Sequence, residues 1–144
     1  PIRLVTCASP DYLATHGTPQ HPDELVNHRY LKYSYMDDDT PFSTESTPSA
    51  LTVSRSLNSG LVANNGDVLV KAAMAGSGIV IQPTFIAGPA IKAGQLVPVL
   101  SDYEPQPLGL YAVYAHRRLL SSKVRCFIDF IDGYFGEPPY WDRF

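Results

Sequence analysis

Apolar residues recur at every second position in some segments of the chain and at every third or fourth position in others. The order of these segments predicts the fold class. Residues 3–8 (R-L-V-T-C-A) alternate and are rich in β-forming side chains, which predicts an opening strand. The clearest pattern is at residues 61–81, where a short strand at 61–63 leads into a helix at about 66–75 and a continuous apolar strand at 79–81. Such a continuous run is typical of a strand buried on both faces of a parallel sheet. The strand–helix–strand unit therefore predicts an α/β fold with a crossover helix.

Weaker patterns place further elements on both sides of this unit. A last helix is predicted from a cap at Ser121 to about residue 135, because its apolar residues recur three or four positions apart. Pro98 favours a position at the edge of the sheet for the strand at 96–100. The tail beyond Gly136 is expected to be loose, although Trp141 and Phe144 could dock. The other predicted elements are strands at 30–34, 50–53 and 108–114, and helical segments at 10–16, 22–28 and 85–93, the first with Ser9 as its cap and the last interrupted at Gly88-Pro89. The apolar stripe of the last helix consists of Val124, Phe127, Ile128, Ile131 and Phe135.

The junction between the strand at 61–63 and the following helix is the strongest candidate for a ligand site. In an open α/β sheet, ligands bind at the carboxyl ends of the strands, where the next helix presents free backbone N–H groups. Asn64, Asn65 and Gly66 stand at this junction, with two amide side chains and one position that lets a ligand approach closely. The next parallel strand would end at the same rim. The further rim candidates are Gln82 and Phe85.

The same residues also fit a plainer interpretation, which involves no ligand. In it, Asn65 caps the helix and Gly66 only forms the turn. Asp67 in the first helical turn already offsets part of the helix dipole, which argues against a strongly anionic ligand. The spacing alone favours the plainer interpretation.

Composition, charge and the absence of known motifs argue against several classes of function. The chain of 144 residues has a net charge of -3 and a pI of about 5.7, so it lacks the basic surface that holds nucleic acid. Cys7 and Cys126 have no metal-ligand spacing, and no apolar run is long enough to span a membrane. No known nucleophile, phosphate-loop, zinc or dinucleotide motif occurs, and the histidines lack partners in any such motif. We therefore expect no catalytic residue, no metal and no cofactor. Because the chain opens on a strand without an initiating Met, we expect a fragment of a longer protein.

Five segments, in order, resemble the effector-binding domain of LysR-type transcriptional regulators. The segment at 64–83 has the pattern N-N-G-D-x-L-x-x-A-A-x-A-G-x-G-I-x-x-x-P, and the segment at 7–19 resembles the family's crossing into its second regulatory lobe. The segments at 22–31, 94–100 and 111–130 resemble the short helix and strand after that crossing and the family's C-terminal run. Each motif is loose by itself, but five in register are specific, and they cover almost the whole chain.

This resemblance implies a fold like that of the type 2 periplasmic binding proteins, in which two α/β lobes enclose a ligand cleft. Residues 1–109 would form mostly the second lobe, and residues 110–144 the returning strand and C-terminal helix of the first lobe. The rest of the first lobe, and the N-terminal domain that binds promoter DNA, would lie outside this chain. The implied protein is a cytoplasmic homo-oligomer, without membrane contact, that senses a small-molecule effector, with a carboxylate as one candidate.

The resemblance also implies which side chains contact the effector. The two asparagines would supply hydrogen bonds from the loop that faces the cleft, and further contacts would come from the neighbouring strand and from the crossings between the lobes. Ala115 stands where the family commonly has proline, a departure that costs little. The region around Phe42 lacks the tryptophan often found there, which weakens any inference about the ligand. The effector contacts carried over are Asn64, Asn65, Gly66, Gln82, Pro83, Ser9, Pro10 and Tyr111.

Two other functions remain open. A solute-binding protein of a transport system shares this fold, but it would need an export signal and often carries disulfides, neither of which the sequence shows. A small α/β enzyme would need a cluster of titratable groups at the strand ends, whereas the predicted rim offers amides and glycine, which bind rather than react.

Overall fold

The computed structural model describes residues 1–36, 58–114, 121–136 and 138–143, which form five strands and four α-helices. Strands and helices alternate along the chain, which confirms the predicted α/β class. The strands are β1 (Leu4–Ala8), β2 (Arg29–Tyr33), β3 (Asn58–Ala63), β4 (Ile79–Pro83) and β5 (Val97–Val99). The helices are α1 (Pro10–His16), α2 (Gly66–Met74), α3 (Thr84–Lys92) and α4 (Ser122–Phe135). Short 3-10 turns occur at Pro22–Asn27, Ser101–Tyr103 and Tyr140–Asp142.

All five described strands form one sheet in the order β3-β2-β4-β1-β5. β2 pairs in parallel with β3 and β4, whereas β1 is antiparallel to β4 and to β5. Four strands therefore point the same way, and β1 points the opposite way. The unit β3–α2–β4 brings the carboxyl ends of two parallel strands to one edge, as predicted, with β2 between them. β5 lies at the edge of the sheet, as its proline indicated.

Helices cover both faces of the sheet, and β4 is buried on both sides. Side chains alternate along β4, so that Ile81 packs in the cluster under α1 while Val80 packs in the cluster under α2 and α3. Leu69 and Ala73, one turn apart on α2, are fully buried against this second face.

Side-chain caps set the starts of helices at the predicted residues. At α1, Ser9 Oγ accepts a hydrogen bond from the Tyr12 backbone N–H at 3.2 Å. At α4, Ser121 Oγ accepts from the Val124 backbone N–H at 3.4 Å. Pro10 fits the first turn of α1 because its missing N–H would have no partner inside the helix.

The predicted interruption of the helix at 85–93 is wrong. α3 runs continuously through Gly88 and Pro89. Pro89 removes one backbone donor, but Ala87 and Ala90 are buried on either side of it and hold the short helix against the sheet.

The predicted strand at 108–114 is also wrong. Leu108 forms an isolated antiparallel bridge with Ile2, and residues 109–114 have no regular structure. A strand needs a neighbour for its backbone N–H and C=O groups, and none of the described strands lies beside this segment. The predicted strand at 50–53 lies outside the described residues.

α4 contrasts with the helices on the sheet because all its residues stay at least partly exposed. On its predicted apolar stripe, Phe127 is 62% exposed and Val124 is 39% exposed. The amphipathic pattern therefore forms a helix without covering its apolar side in the described part of the chain. None of the helices in the described ranges is long and apolar enough to cross a membrane.

Candidate functional site

The carboxyl ends of β3 and β4 lie at one edge of the sheet, which we call the rim. It comprises residues 64–67 after β3 and residues 82–85 at the end of β4. Gly66 and Gln82 bring these two segments together: a Cβ atom at Gly66 would lie 2.5 Å from Gln82 Oε1 and 2.8 Å from Ile86 Cδ1. A larger residue at this position would displace the ends of both neighbouring side chains, whereas the backbone of Gly66 has no positive φ that would itself favour glycine.

Asn65 has a structural role at the rim. Its Oδ1 atom accepts a hydrogen bond from the Val68 backbone N–H at 3.2 Å and caps α2. The cap that the plainer interpretation assigned to Asn65 is thus present. Asn64 is exposed beside it and takes no part in this cap, so its amide is accessible from solvent.

Gln82 is a buried polar side chain under the first turn of α2. It is 3% exposed and lies on the face of the sheet that α2 and α3 cover. The first backbone N–H groups of α2 have no partner within the helix and carry partial positive charge. The rim therefore combines amide groups and helical N–H groups above an apolar layer.

α3 starts at the rim, and Thr84 ties this start to the chain segment before β1. The Thr84 backbone N–H donates to the Arg3 carbonyl oxygen at 3.0 Å, and the Thr84 hydroxyl donates to the same oxygen at 3.4 Å. Thr84 is fully buried; sequence reasoning missed it, and no spacing pattern singles it out. Pro83 occupies the N-cap position before it. Phe85 follows, 46% exposed, with its ring edge-on to Trp141.

Ser9 and Pro10 lie at the opposite edge of the sheet. Because β1 runs antiparallel to its neighbours, its last residue, Ala8, pairs with Val97 at the start of β5. Ser9 is buried there as the cap of α1, and Pro10 is exposed. The structure therefore does not bring these two residues to the rim. The resemblance implies them as contacts near the crossing between the lobes, and that role stays a prediction.

Two chain segments are joined to each other beside the rim. Ile2 and Leu108 exchange two backbone hydrogen bonds of 2.7 and 2.8 Å. One terminal nitrogen of the Arg3 guanidinium group donates to both carboxylate oxygens of Glu104, at 2.8 and 2.9 Å, and Nε donates to one of them at 3.2 Å. This ion pair fixes orientation as well as distance. Tyr111 follows shortly after Leu108 and is 82% exposed.

The groups with perturbed pKa values lie away from the rim. Burial raises the pKa of the Cys7 thiol to about 12, which keeps it protonated and unreactive near neutral pH. Burial, and to a smaller extent the nearby His16, lowers the pKa of His28, which precedes β2 at the opposite edge. His28 Nδ1 lies 3.2 Å from the Tyr12 hydroxyl, which also accepts from the Arg29 backbone N–H at 3.0 Å.

The rim itself offers groups that bind rather than react. Its polar side chains are mainly amides, with Asp67 exposed in the first turn of α2. Across the described ranges, no group of three or more His, Cys, Asp or Glu side chains is placed to share a metal ion. The geometry therefore suits noncovalent recognition of a small molecule at the strand ends.

Comparison with known proteins places this fold in a family. A family model described as the LysR substrate binding domain matches residues 1–136. The chain is 35% identical over 137 residues to YhjC, an uncharacterized HTH-type transcriptional regulator of Escherichia coli K12, covering 94% of this chain and 46% of that protein. It is similar to the regulatory domain of CrgA, a LysR-type regulator from Neisseria meningitidis, with a TM-score of 0.68 and 28% identity over 90% of this chain and 63% of that one. Full-length AphB, a virulence activator of Vibrio cholerae, has a TM-score of 0.72 and 28% identity over 92% of this chain and 45% of that one.

These similarities confirm the predicted fold of the type 2 periplasmic-binding-protein kind. The chain spans about half the length of the curated relatives it matches, 46% in the case of YhjC. The family match extends over nearly all of the chain, and the similar structures are LysR regulators or their regulatory domains. The chain therefore belongs to the family of LysR substrate-binding domains.

Proposed function

We propose that the rim binds a small-molecule effector and that this chain is the effector-binding part of a transcriptional regulator. The contact between Gly66 and Gln82 carries the proposal. It holds the start of α2 and the end of β4 together at the edge where open α/β sheets bind ligands. α2 supplies free backbone N–H groups there, and Asn64 supplies an exposed amide.

The side chains of the rim also indicate the chemical class of the effector. Small-molecule sites combine apolar walls with a few polar groups that fix orientation. Phe85 is half exposed, and Ile86 is partly exposed beside it, so an apolar portion of the effector has a surface to contact. Asp67 in the first turn of α2 would repel a highly charged anion. We therefore expect a polar molecule or a small carboxylate of low net charge.

The rival functions are less well supported. A solute-binding protein of a transport system is not favoured, because relatives about twice as long as this chain are HTH-type transcriptional regulators. A small enzyme is not favoured because the amides of Asn64 and Gln82 are suited to orienting a ligand and not to transferring a proton.

In the intact protein, the effector would act by binding one arrangement of two lobes more tightly than another. Residues 1–109 would form mostly the second lobe, and residues 110–144 would return to the first. The change in lobe arrangement would pass to an N-terminal helix-turn-helix domain on promoter DNA, within a cytoplasmic homo-oligomer. An effector with equal affinity for both arrangements would shift nothing, so differential binding is the essential requirement.

Thermal unfolding of the intact protein with small carboxylates, amino acids and aromatic acids tests the proposal. A ligand that binds only the folded state stabilises it by about 2.7 kcal/mol at a concentration of 100 times its Kd. We expect Asn64→Ala to abolish the ligand-induced rise in melting temperature and to leave the unliganded value nearly unchanged, because Asn64 is exposed and caps nothing.

Two matched variants make the outcome specific. Asn65→Ala is expected to lower the unliganded melting temperature, because it removes the cap of α2. Pro10→Ala, at the opposite edge of the sheet, is expected to leave the ligand-induced shift intact. A ligand whose shift survives Asn64→Ala and disappears in Pro10→Ala would contradict a binding site at the rim.

A further inference from the structure

The C-terminal turn at Tyr140–Asp142 is docked on the sheet layer and does not form a loose tail. It packs against α3, the helix that starts at the rim. Its central residue, Trp141, is only partly exposed. The turn therefore links the end of the chain to the element that carries Phe85.

Trp141 contacts aromatic rings from two different helices. Its ring centroid lies 6.2 Å from that of Phe85 on α3 and 5.2 Å from that of Phe135 on α4, with interplanar angles of 71° and 63°. Tyr140, whose ring lies 4.9 Å from Trp141, also contacts Tyr134 of α4 at 5.7 Å. Edge-to-face pairs at such distances are favourable beyond the area they bury.

We propose that the C-terminal turn is a latch that ties α4 to the first turn of α3 through Trp141. α4 has no buried residue, so the sheet layer does not hold it by a packed apolar face. The rings of the turn provide the connection, with Phe85 on one side of Trp141 and Phe135 on the other.

Two buried polar atoms oppose the latched state. Trp141 Nε1 and Asp142 Oδ1 are buried without a hydrogen-bond partner in the part of the chain that the structure describes. Both atoms would bond to water when the turn leaves its place, so their burial opposes the aromatic contacts. Their burial therefore makes the latch weaker than its aromatic contacts alone would make it.

Phe85 belongs both to the latch and to the rim. A rearrangement at the start of α3 would therefore be transmitted to α4 through the ring of Trp141. The latch rests on the ring contacts alone and does not depend on the proposed effector. Because its test uses no ligand, failure of the latch and failure of the effector proposal can be told apart.

Trp141 is the single tryptophan of the chain, so its fluorescence reports on the latch directly. We expect Phe85→Leu and Phe135→Leu each to shift its emission to the red and to increase quenching by acrylamide. An aromatic pair contributes enough to change the ratio of latched to open turns about fivefold. Asp142→Ala should act in the opposite direction and reduce quenching, because it removes a buried unpaired oxygen.

Phe127→Leu is the matched control. Phe127 lies on the same helix, is well exposed and makes no ring contact with Trp141, so its replacement should leave emission and quenching unchanged. Unchanged fluorescence in both Phe85→Leu and Phe135→Leu would overturn the latch. An equal change in Phe127→Leu would also overturn it, because it would indicate a general loosening of α4. Circular dichroism establishes that each variant is folded.

Discussion

α2 and α4 are both amphipathic helices that start at a side-chain cap, but only α2 is packed into a core. Leu69 and Ala73 on α2 are fully buried, whereas Phe127 and Val124 on α4 remain exposed. The caps are of the same kind, because a side-chain oxygen of Asn65 caps α2 and one of Ser121 caps α4. An apolar stripe and a cap are thus sufficient to form a helix, whereas the stripe is buried only where another element packs against it.

The position of each helix in the topology explains the difference. α2 connects β3 to β4 and lies against the sheet they form, so its stripe has a ready partner. α4 follows residues 109–114, which are outside the sheet. The chain covers 63% of the CrgA regulatory domain, and we expect the remainder of such a domain to cover the stripe of α4 in the intact protein.

The largest expected difference between the two helices is in the effect of truncating an apolar side chain. Leu69→Ala on α2 should lower the free energy of unfolding by about 2–5 kcal/mol, because it leaves a cavity in a packed core. Phe127→Ala on α4 should change it by less than about 0.5 kcal/mol, because that side chain is mostly in water. Urea denaturation of the 144-residue chain measures both.

Equal losses of unfolding free energy in these two variants would contradict the difference between α2 and α4, since they would indicate that Phe127 packs as tightly as Leu69. The same two variants in the intact protein test this difference further. If the remainder of the domain covers α4, Phe127→Ala should become much more destabilising there, while the effect of Leu69→Ala should stay the same.

Glycine-to-alanine substitutions should give opposite signs in the two helices. In Gly66→Ala, the new methyl group would lie 2.5 Å from Gln82 Oε1, so we expect a loss of about 1–3 kcal/mol from overpacking. In Gly133→Ala, nothing lies within 4 Å of the new atom, so we expect a gain of about 0.5–1 kcal/mol from better helix propensity. Thermal unfolding with both variants in one buffer compares them directly.

A rescue experiment tests the cause of the loss at Gly66. Replacing Gln82 by Ala in the Gly66→Ala background should restore part of the stability, because the clashing amide is removed. Additive losses in the double variant would contradict the close contact between Gly66 and Gln82.

Removing the side-chain caps should also affect α2 and α4 differently, but the changes in stability should be smaller. Asn65→Ala should lower the global free energy of unfolding by about 1 kcal/mol, because α2 is part of the cooperative core. Ser121→Ala removes an equivalent bond from α4, but its effect should appear as fraying of that helix. Amide hydrogen exchange resolved along the chain distinguishes global loss from local fraying.

The sequence predicted what depends on local interactions. Caps at Ser9, Asn65 and Ser121 involve neighbours three residues away, and all three are present. The shared rim of Gly66 and Gln82 required one further assumption, that β3 and β4 are parallel. Parallel pairing of both strands with β2 confirms it. These features needed only the residue pattern and general rules of α/β topology.

The sequence did not predict what depends on long-range pairing. The direction of β1 placed Ser9 at the opposite edge, and no periodicity encodes that direction. Arg3 and Glu104 form their ion pair across 101 positions of sequence, which no local pattern reveals. The sequence predicts a strand at 108–114, but residues 109–114 form none, because a strand exists only where another strand is available to pair with it.

The smallest predicted effect is the pH dependence of stability that results from the buried residue His28. Burial, and to a smaller extent the nearby His16, lowers the pKa of His28 from its ordinary value of 6.5, whereas Glu24 acts to raise it. The Tyr12 hydroxyl accepts from the Arg29 backbone N–H and so can donate its own proton to His28 Nδ1, an arrangement that favours the neutral ring. Below pH 6.5 the unfolded chain binds a proton at this residue that the folded chain resists. Stability is therefore unaffected above that pH and is lost as the pH falls toward the lower folded pKa.

His28→Asn tests this sign, because asparagine keeps an acceptor for the Tyr12 hydroxyl but cannot titrate. We expect the urea midpoint of the unmodified chain to fall between pH 7 and pH 5 more steeply than that of the variant. Two parallel curves would mean that His28 takes up its proton equally well in the folded and unfolded states. That outcome would remove the physical basis for a buried neutral histidine beside Tyr12, since burial and the donated hydrogen bond both require the folded state to disfavour the charge.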